Sequence, residues 1–310
     1  MKISILGYGI QGRAQSLNLR DSGHEILVGN ISDKYKNKAI EDGFNIVNLE
    51  KAVLNAEVIL VLLPDEIQDD ILKTKILPVI KKNACLVFAH GFWLTYNQLK
   101  IPDHIDLLMI APRSPGEQIR SLYLEGYGVP AYIDIAQDGS GNAKKILNEL
   151  IIGLGFDKGG TINLSHTMET EIDLMIEQSM APIFFASVQS VFKELVSKGY
   201  PPEVVCLELY YSGELGSVRK MMGLDGLYKA FQNNASPTCQ YGVASSISRV
   251  WRNHMDEIIK SQYERIKSGK FALELQKIDT RKIISSFLNS KIAKKIQEAE
   301  ISISQKIKKS

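Results

Sequence analysis

The feature that most constrains this chain is Gly7-Tyr8-Gly9-Ile10-Gln11-Gly12, a G-x-G-x-x-G run. It sits directly behind the β-rich segment Ile3–Leu6 and opens the helix-compatible stretch Gln11–Asp21. A strand that runs through such a turn into a helix is the context a dinucleotide-binding turn requires. The first glycine allows the tight turn, the second lets a pyrophosphate approach the backbone, and the third lets helix and strand pack closely. Free N–H groups at the helix start meet the phosphate charge. Residues 7 to 12 are therefore the predicted pyrophosphate-binding residues.

The downstream segments agree with such a start. Strand-like segments at Glu25–Gly29, Asn45–Val47, Cys85–Ala89, Leu107–Ile110 and Ala131–Ile135 alternate with helix-like ones. Glu57–Leu63 is almost continuously apolar, as a parallel strand buried on both faces would be. The alternation predicts an α/β, Rossmann-like, doubly wound parallel sheet over residues 1–160. Beyond the glycine-rich joint at Gly155–Gly160 the β signal fades. Met168–Lys198, Glu203–Tyr211, Ala244–Lys267 and Arg281–Gln305 carry helical apolar spacing, which predicts an all-helical domain over 161–310. A length of 310 residues agrees with two domains.

Composition excludes several function classes. The net charge of +2 argues against a nucleic-acid binder. No apolar run is long enough to span a bilayer, so no membrane partner is expected. Cys85, Cys206 and Cys239 are odd in number and widely spaced, which predicts no disulfide framework and a reducing, cytoplasmic setting.

The second strand runs out into Asn30-Ile31-Ser32-Asp33-Lys34, where the adenosine ribose belongs. Asp33 is placed to accept from a ribose 2′-hydroxyl, whereas Ser32 and Lys34 suit a 2′-phosphate. This segment leaves NADH and NADPH both open. His90 and Arg113 each follow a strand end, on the side where open α/β sheets bind ligands. In the helical half, Asp173 and Glu177 are spaced i and i+4, which puts two carboxylates on one helix face. A divalent cation such as Mg²⁺ would relieve their repulsion. Glu208 or Glu214 could complete that site from another helix. Spacing alone favours an ordinary exposed acidic face over a metal site.

Several segments coincide in one order. They are Gly7-Tyr-Gly-Ile-Gln-Gly-Arg-Ala14, Leu17-Asn-Leu-Arg-Asp-Ser-Gly23, Leu62-Leu-Pro-Asp-Glu66, Phe88-Ala-His-Gly-Phe92, Asp138-Gly-Ser-Gly-Asn-Ala143, Glu169-Thr-Glu-Ile-Asp-Leu174 with Glu177-Gln178, Gly199-Tyr-Pro-Pro-Glu203, Tyr241-Gly242 and Ser268-Gly-Lys-Phe-Ala272. Together they resemble the ketol-acid reductoisomerase (acetohydroxyacid isomeroreductase) family, in its short single-copy form, over nearly the whole chain.

The resemblance implies an alkyl migration in an acetohydroxy acid such as 2-acetolactate, followed by reduction of the resulting 2-keto acid by NADPH, with two Mg²⁺ ions as Lewis acids. It implies Asp173 and Glu177 as metal ligands, with Glu208 as a third supplied by a partner subunit. It implies His90 as the histidine beside the nicotinamide and Ser236 as a contact for the substrate carboxylate. It further implies a knotted helical bundle that pairs into a homodimer or larger assembly.

Four departures from the family pattern stand out. Arg113 replaces a lysine and cannot release a proton at neutral pH. Ser212 stands where a fourth acidic ligand belongs, with Glu214 two residues on. Gln240 replaces a glutamate, and Ile31 an arginine. These leave two other readings beside the reductoisomerase: a diverged reductase of a 2-keto acid without migration, and a non-catalytic nucleotide-binding dimer.

Overall fold

The structure, a computed structural model, describes residues 1–30, 35–54, 56–97, 99–247 and 252–306. Its two compact units are Met1–Asp173 and Leu174–Ser310.

The first unit is built on an eight-stranded sheet in the order β3-β2-β1-β4-β5-β6-β7-β8. The strands are β1 Lys2–Leu6, β2 Glu25–Gly29, β3 Ile46–Val47, β4 Val58–Val61, β5 Cys85–Phe88, β6 Asp106–Pro112, β7 Ala131–Gln137 and β8 Thr161–Asn163. The helices are α1 Ile10–Asp21, α2 Tyr35–Glu41, α3 Leu49–Leu54, α4 Asp65–Ile71, α5 Phe92–Tyr96, α6 Gly116–Leu124, α7 Ala143–Leu154 and α8 His166–Met175.

The period of two along a strand explains the layers. In β4, Val58 and Leu60 join a core with Ala14 and Leu19 of α1, Ile119 of α6 and Leu147 of α7. Their neighbours Ile59 and Val61 point the other way, into a core with Leu49 and Val53 of α3 and Ile71 of α4. With apolar side chains needed on both faces, the strand reads as one continuous apolar run.

The expected all-parallel sheet differs at one pair. β6 and β7 are antiparallel, with Pro112 opposite Ala131. The short helix α6 and its following turn leave the chain at the same end of the sheet at which β6 stopped, so β7 must run back. The edge strand β8, parallel to β7 and exposed along its length, lies where only helix was expected.

The second unit is helical. It holds α9 Ala181–Ser197, α10 Pro202–Cys206, α11 Glu214–Asp225, α12 Leu227–Asn234, α13 Pro237–Ser246, α14 Arg252–Lys267, α15 Lys270–Lys277, α16 Thr280–Leu288 and α17 Lys291–Ser304. Phe192, Val205, Cys206 and Ala299 form a buried cluster in it.

The stretch expected as one helix over 168–198 contains a π-helical turn at Ile176–Met180. Pro182 explains it. A proline has no N–H for the carbonyl four residues back and its ring crowds that carbonyl, so the ladder slips to the wider spacing. Pro78 comes after the π turn Leu72–Ile76 in the same way.

Candidate active site

The topology places the glycine-rich turn. From β1 the chain builds β2 and β3 on one side and then crosses to β4 on the other. The carboxyl ends of β1 and β4 therefore flank the switch point where dinucleotides bind in such sheets. Gly7 leaves β1 with φ +96°, and a Cβ there would lie 2.6 Å from the Leu62 carbonyl oxygen. A Cβ on Gly12 would lie 2.0 Å from the Gly7 carbonyl oxygen.

Gly9 differs. It is the N-cap of α1, has no side chain to satisfy the helix start, and faces open space with no atom within 4 Å of an ideal Cβ. A backbone cradle open at the middle glycine, with the N–H groups of a helix start beside it, fits a pyrophosphate. A cavity of about 140 Å³ adjoins it, lined by Tyr8, Gly9, Ile10, Arg13, Tyr35 and Lys38 among others. Gln11 donates from Nε2 to the Ser114 carbonyl at 3.1 Å, which ties the turn to the loop after β6. A Gly12→Ala variant is expected to lose nucleotide binding by at least about tenfold, because the turn must open to admit the methyl group. Nucleotide fluorescence titration checks this.

Asn30, at the end of β2, accepts the Tyr8 backbone N–H through Oδ1 at 3.2 Å. The other ribose candidates, Ser32, Asp33 and Lys34, lie outside the described residues.

The second cluster lies at the ends of β5 and β6. His90 and Gly91 follow β5, Arg113 follows β6, and α8 brings Glu169 and Asp173. Gly91 admits this helix because a Cβ there would sit 2.3 Å from the His166 carbonyl oxygen. Glu169 is fully buried. Its Oε2 accepts from His90 Nδ1 at 2.7 Å and from the Gly91 N–H at 2.8 Å, and its Oε1 accepts from Arg113 Nη2 at 2.9 Å. Arg113 Nη1 donates to Asp173 Oδ1 at 2.8 Å, and His90 Nε2 lies 3.6 Å from Asp173 Oδ2.

With Nδ1–H given to Glu169, the Nε2 of His90 faces a carboxylate, which favours a proton there too. Burial opposes the charged ring. The hydrogen bond and charge of Glu169, helped by Asp173 and Asp65, outweigh it and hold the imidazolium above its usual range. Burial likewise works against the Glu169 carboxylate, and His90, the Gly91 N–H and Arg113 overcome it. Asp65, at the start of α4, is raised, chiefly by burial.

His90, Glu169 and Asp173 offer ligand atoms within 4.8 Å of one another. The donor chemistry divides them. Glu169 already accepts from three donors, whereas Asp173 Oδ2, among the described residues, has the long contact to His90 and suits a hard cation.

The other candidate carboxylates are in the second unit. Glu177, Glu208 and Glu214 are all exposed. Glu208 lies in a π turn, Leu207–Tyr211, and Gly213, with φ +81°, ends that helix, so Glu214 begins a new one. Ser236 caps α13, its Oγ accepting the Cys239 N–H at 3.2 Å. Gln240 donates from Nε2 to the Ala235 and Gln232 carbonyls rather than supplying an acid.

Glu169 is the residue that motif reading passed over. Its signal was its place one turn ahead of Asp173, on the face that carries Asp173 and Glu177 by spacing.

Comparison with known proteins agrees with this geometry. The model of the acetohydroxy acid isomeroreductase NADPH-binding domain matches residues 1–160, and that of the ketol-acid reductoisomerase C-terminal domain matches 166–308. The chain is 35% identical to ketol-acid reductoisomerase (NADP(+)) of Pyrococcus abyssi, over 96% of this chain and 89% of the relative. It is 38% identical to that of Pyrobaculum aerophilum, over 88% and 83%. A solved NADH-preferring ketol-acid reductoisomerase from an uncultured archean superposes with a TM-score of 0.89 at 28% identity, covering 100% of this chain and 95% of that one. With an NAD(P)-binding sheet, a helical second unit and both family domains in sequence, the chain is an NAD(P)-dependent oxidoreductase that belongs to the ketol-acid reductoisomerase family.

Proposed function

We propose that this protein converts 2-acetolactate-type acetohydroxy acids to 2,3-dihydroxy acids in two steps. An alkyl group first migrates from C2 to C3, and the 2-keto group so formed is then reduced. The observation that carries this is the charged cluster of His90, Arg113, Glu169 and Asp173, set at strand ends in the sheet whose crevice holds the glycine-rich turn.

Bound NAD(P)H supplies the hydride, and bound Mg²⁺ supplies Lewis acidity toward the substrate's hydroxyl and carbonyl oxygens. Asp173 and Glu177 would hold the metal, with Glu208, and Glu214 in place of the acid lost at Ser212. The family resemblance supports delivery of Glu208 from a second copy in a homodimer.

The chain's own groups divide the rest of the work. The turn at Gly7–Gly12 binds the pyrophosphate. Glu169 fixes the His90 ring through Nδ1, so that Nε2 holds the proton available to an oxygen that gains charge on reduction. Arg113 stabilises negative charge but does not exchange its proton, so the proton-transfer duty falls to His90 and Glu208. The Ser236 hydroxyl would meet the substrate carboxylate.

The test is an assay with Mg²⁺, NADPH or NADH, and either 2-acetolactate or 3-hydroxy-3-methyl-2-ketobutyrate. Turnover of both is expected. Reduction of the 2-keto acid alone would show that migration is lost.

A further inference from the structure

Outside the reacting cluster, a partly buried network touches the cofactor turn. Tyr8, the first variable residue of that turn, is 1% exposed. Its ring meets Phe44 edge-on with centroids 5.6 Å apart. Its backbone N–H is held by Asn30 at the end of β2, and its hydroxyl donates to Asp42 Oδ2 at 2.9 Å. Asp42 comes directly after α2 and lies beyond the loop that carries the ribose candidates.

The same carboxylate takes a fork from Arg13 on the first turn of α1. Nε donates to Oδ2 at 2.6 Å and Nη2 to Oδ1 at 3.0 Å. One side chain thus binds the turn before α1, the helix α1 itself and the segment after α2. Arg20 closes the corner, donating from Nη1 to the Asp42 carbonyl and lying 5.0 Å over the Phe44 ring.

We propose that Asp42 is a positioning residue for the dinucleotide: through Tyr8 and Arg13 it holds the glycine-rich turn in its binding shape, while its hydrogen bonds described above go to Tyr8, Arg13 and Arg20 and not to His90, Arg113, Glu169 or Asp173. The proposal rests on the cofactor reading of the turn and not on the identity of the acetohydroxy substrate.

Two charge-assisted hydrogen bonds and one phenolic bond converge on a carboxylate that is 12% exposed. Bonds to a charged group are the stronger kind, and losing them leaves the buried Tyr8 hydroxyl without its acceptor, whereas Arg13, 42% exposed, can turn to water. Of these two partners Tyr8 is the one inside the turn, so its tether is the route by which Asp42 acts on the nucleotide.

The test compares wild type with Asp42→Ala, Asp42→Asn and Tyr8→Phe. NADPH and NADH binding is read directly by fluorescence titration without substrate. Steady-state kinetics then give KM for the nucleotide and kcat. Asp42→Ala is expected to weaken both nucleotides about tenfold and raise KM to match, with kcat at saturating nucleotide within about twofold of wild type. Asp42→Asn, which keeps an acceptor for the Tyr8 hydroxyl, should recover part of the loss. Tyr8→Phe, which keeps the ring on Phe44, should reproduce most of it.

Should Asp42→Ala fold poorly, the Tyr8→Phe and Asp42→Asn titrations decide. Unchanged nucleotide affinity in Tyr8→Phe, or a lower melting temperature with unchanged affinity in the Asp42 variants, would overturn the proposal by reducing the network to a structural brace. Because binding is read without turnover, failure of the reductoisomerase assay leaves this test intact.

Discussion

Replacing Asp173 by Asn is expected to lower turnover of 2-acetolactate by at least about 100-fold and to remove its Mg²⁺ dependence at the same time. The amide keeps the side chain's shape but loses the charge that both assigned partners need. Arg113 Nη1 donates to Oδ1, and Oδ2 is the oxygen left for a cation. Neutralising it leaves Arg113 paired on one side only and costs a hard divalent ion an anionic ligand. Calorimetric titration with Mg²⁺ beside the kinetic assay separates the two effects. Normal Mg²⁺ binding with normal turnover would remove Asp173 from the metal site. Normal binding with lost turnover would reassign it to holding Arg113.

Glu169→Gln is the second large effect, and here it is on stability as well as rate. Both carboxylate oxygens face donors, His90 Nδ1 and the Gly91 N–H on one side and Arg113 Nη2 on the other. An amide in either orientation turns its NH₂ group toward one of those donors. The expected cost is about 3 kcal/mol of unfolding free energy, the order found when one member of a buried charged pair is removed. Denaturant unfolding measures it.

Activity should fall as well, since the His90 ring loses the partner that sets its tautomer. A variant as stable as wild type would show that water or a rotamer change satisfies the freed donors. The isosteric change is informative because Glu169 is fully buried and cannot reach solvent for compensation.

Asp42 offers a check by pH away from the reacting cluster. The Arg13 hydrogen bond holds its carboxyl below the usual carboxylate range, against burial and with help from the Tyr8 hydroxyl. A lowered folded value means stabilisation that is present above the unfolded value, about 3.9, and lost as pH falls through the depressed one. The difference in unfolding free energy between wild type and Asp42→Asn should therefore be level from about pH 8 to pH 5. It should close only in stronger acid. A gap that closes near neutrality would point to another titrating group.

Much of this protein is legible in its sequence, for local reasons. The glycine-rich turn could be read because a positive φ at Gly7 and the contact at Gly12 are demands that few residue types meet. The buried strand β4 could be read because two-faced burial forces a continuous apolar run. His90, Arg113 and Asp173 could be named singly, from strand ends and helix spacing. β8 could not, because three exposed residues at a sheet edge carry no apolar pattern. Nor could the π turn before Ala181, since one proline at 182 redirects the hydrogen-bond ladder without changing the apolar spacing.

The sequence by itself determined the dinucleotide-binding half, the helical half and the family, because each rests on residue types at short, regular spacings. Only the tertiary structure decided that Glu169 is the centre of the site. Its partners His90 and Arg113 are 79 and 56 residues away along the chain, and they meet it only because the neighbouring parallel strands β5 and β6 end side by side and the first turn of α8 meets them there. Local spacing can report which face a carboxylate occupies. Which charges arrive to meet it depends on the order in which strands are laid side by side, and that order is a property of the folded sheet.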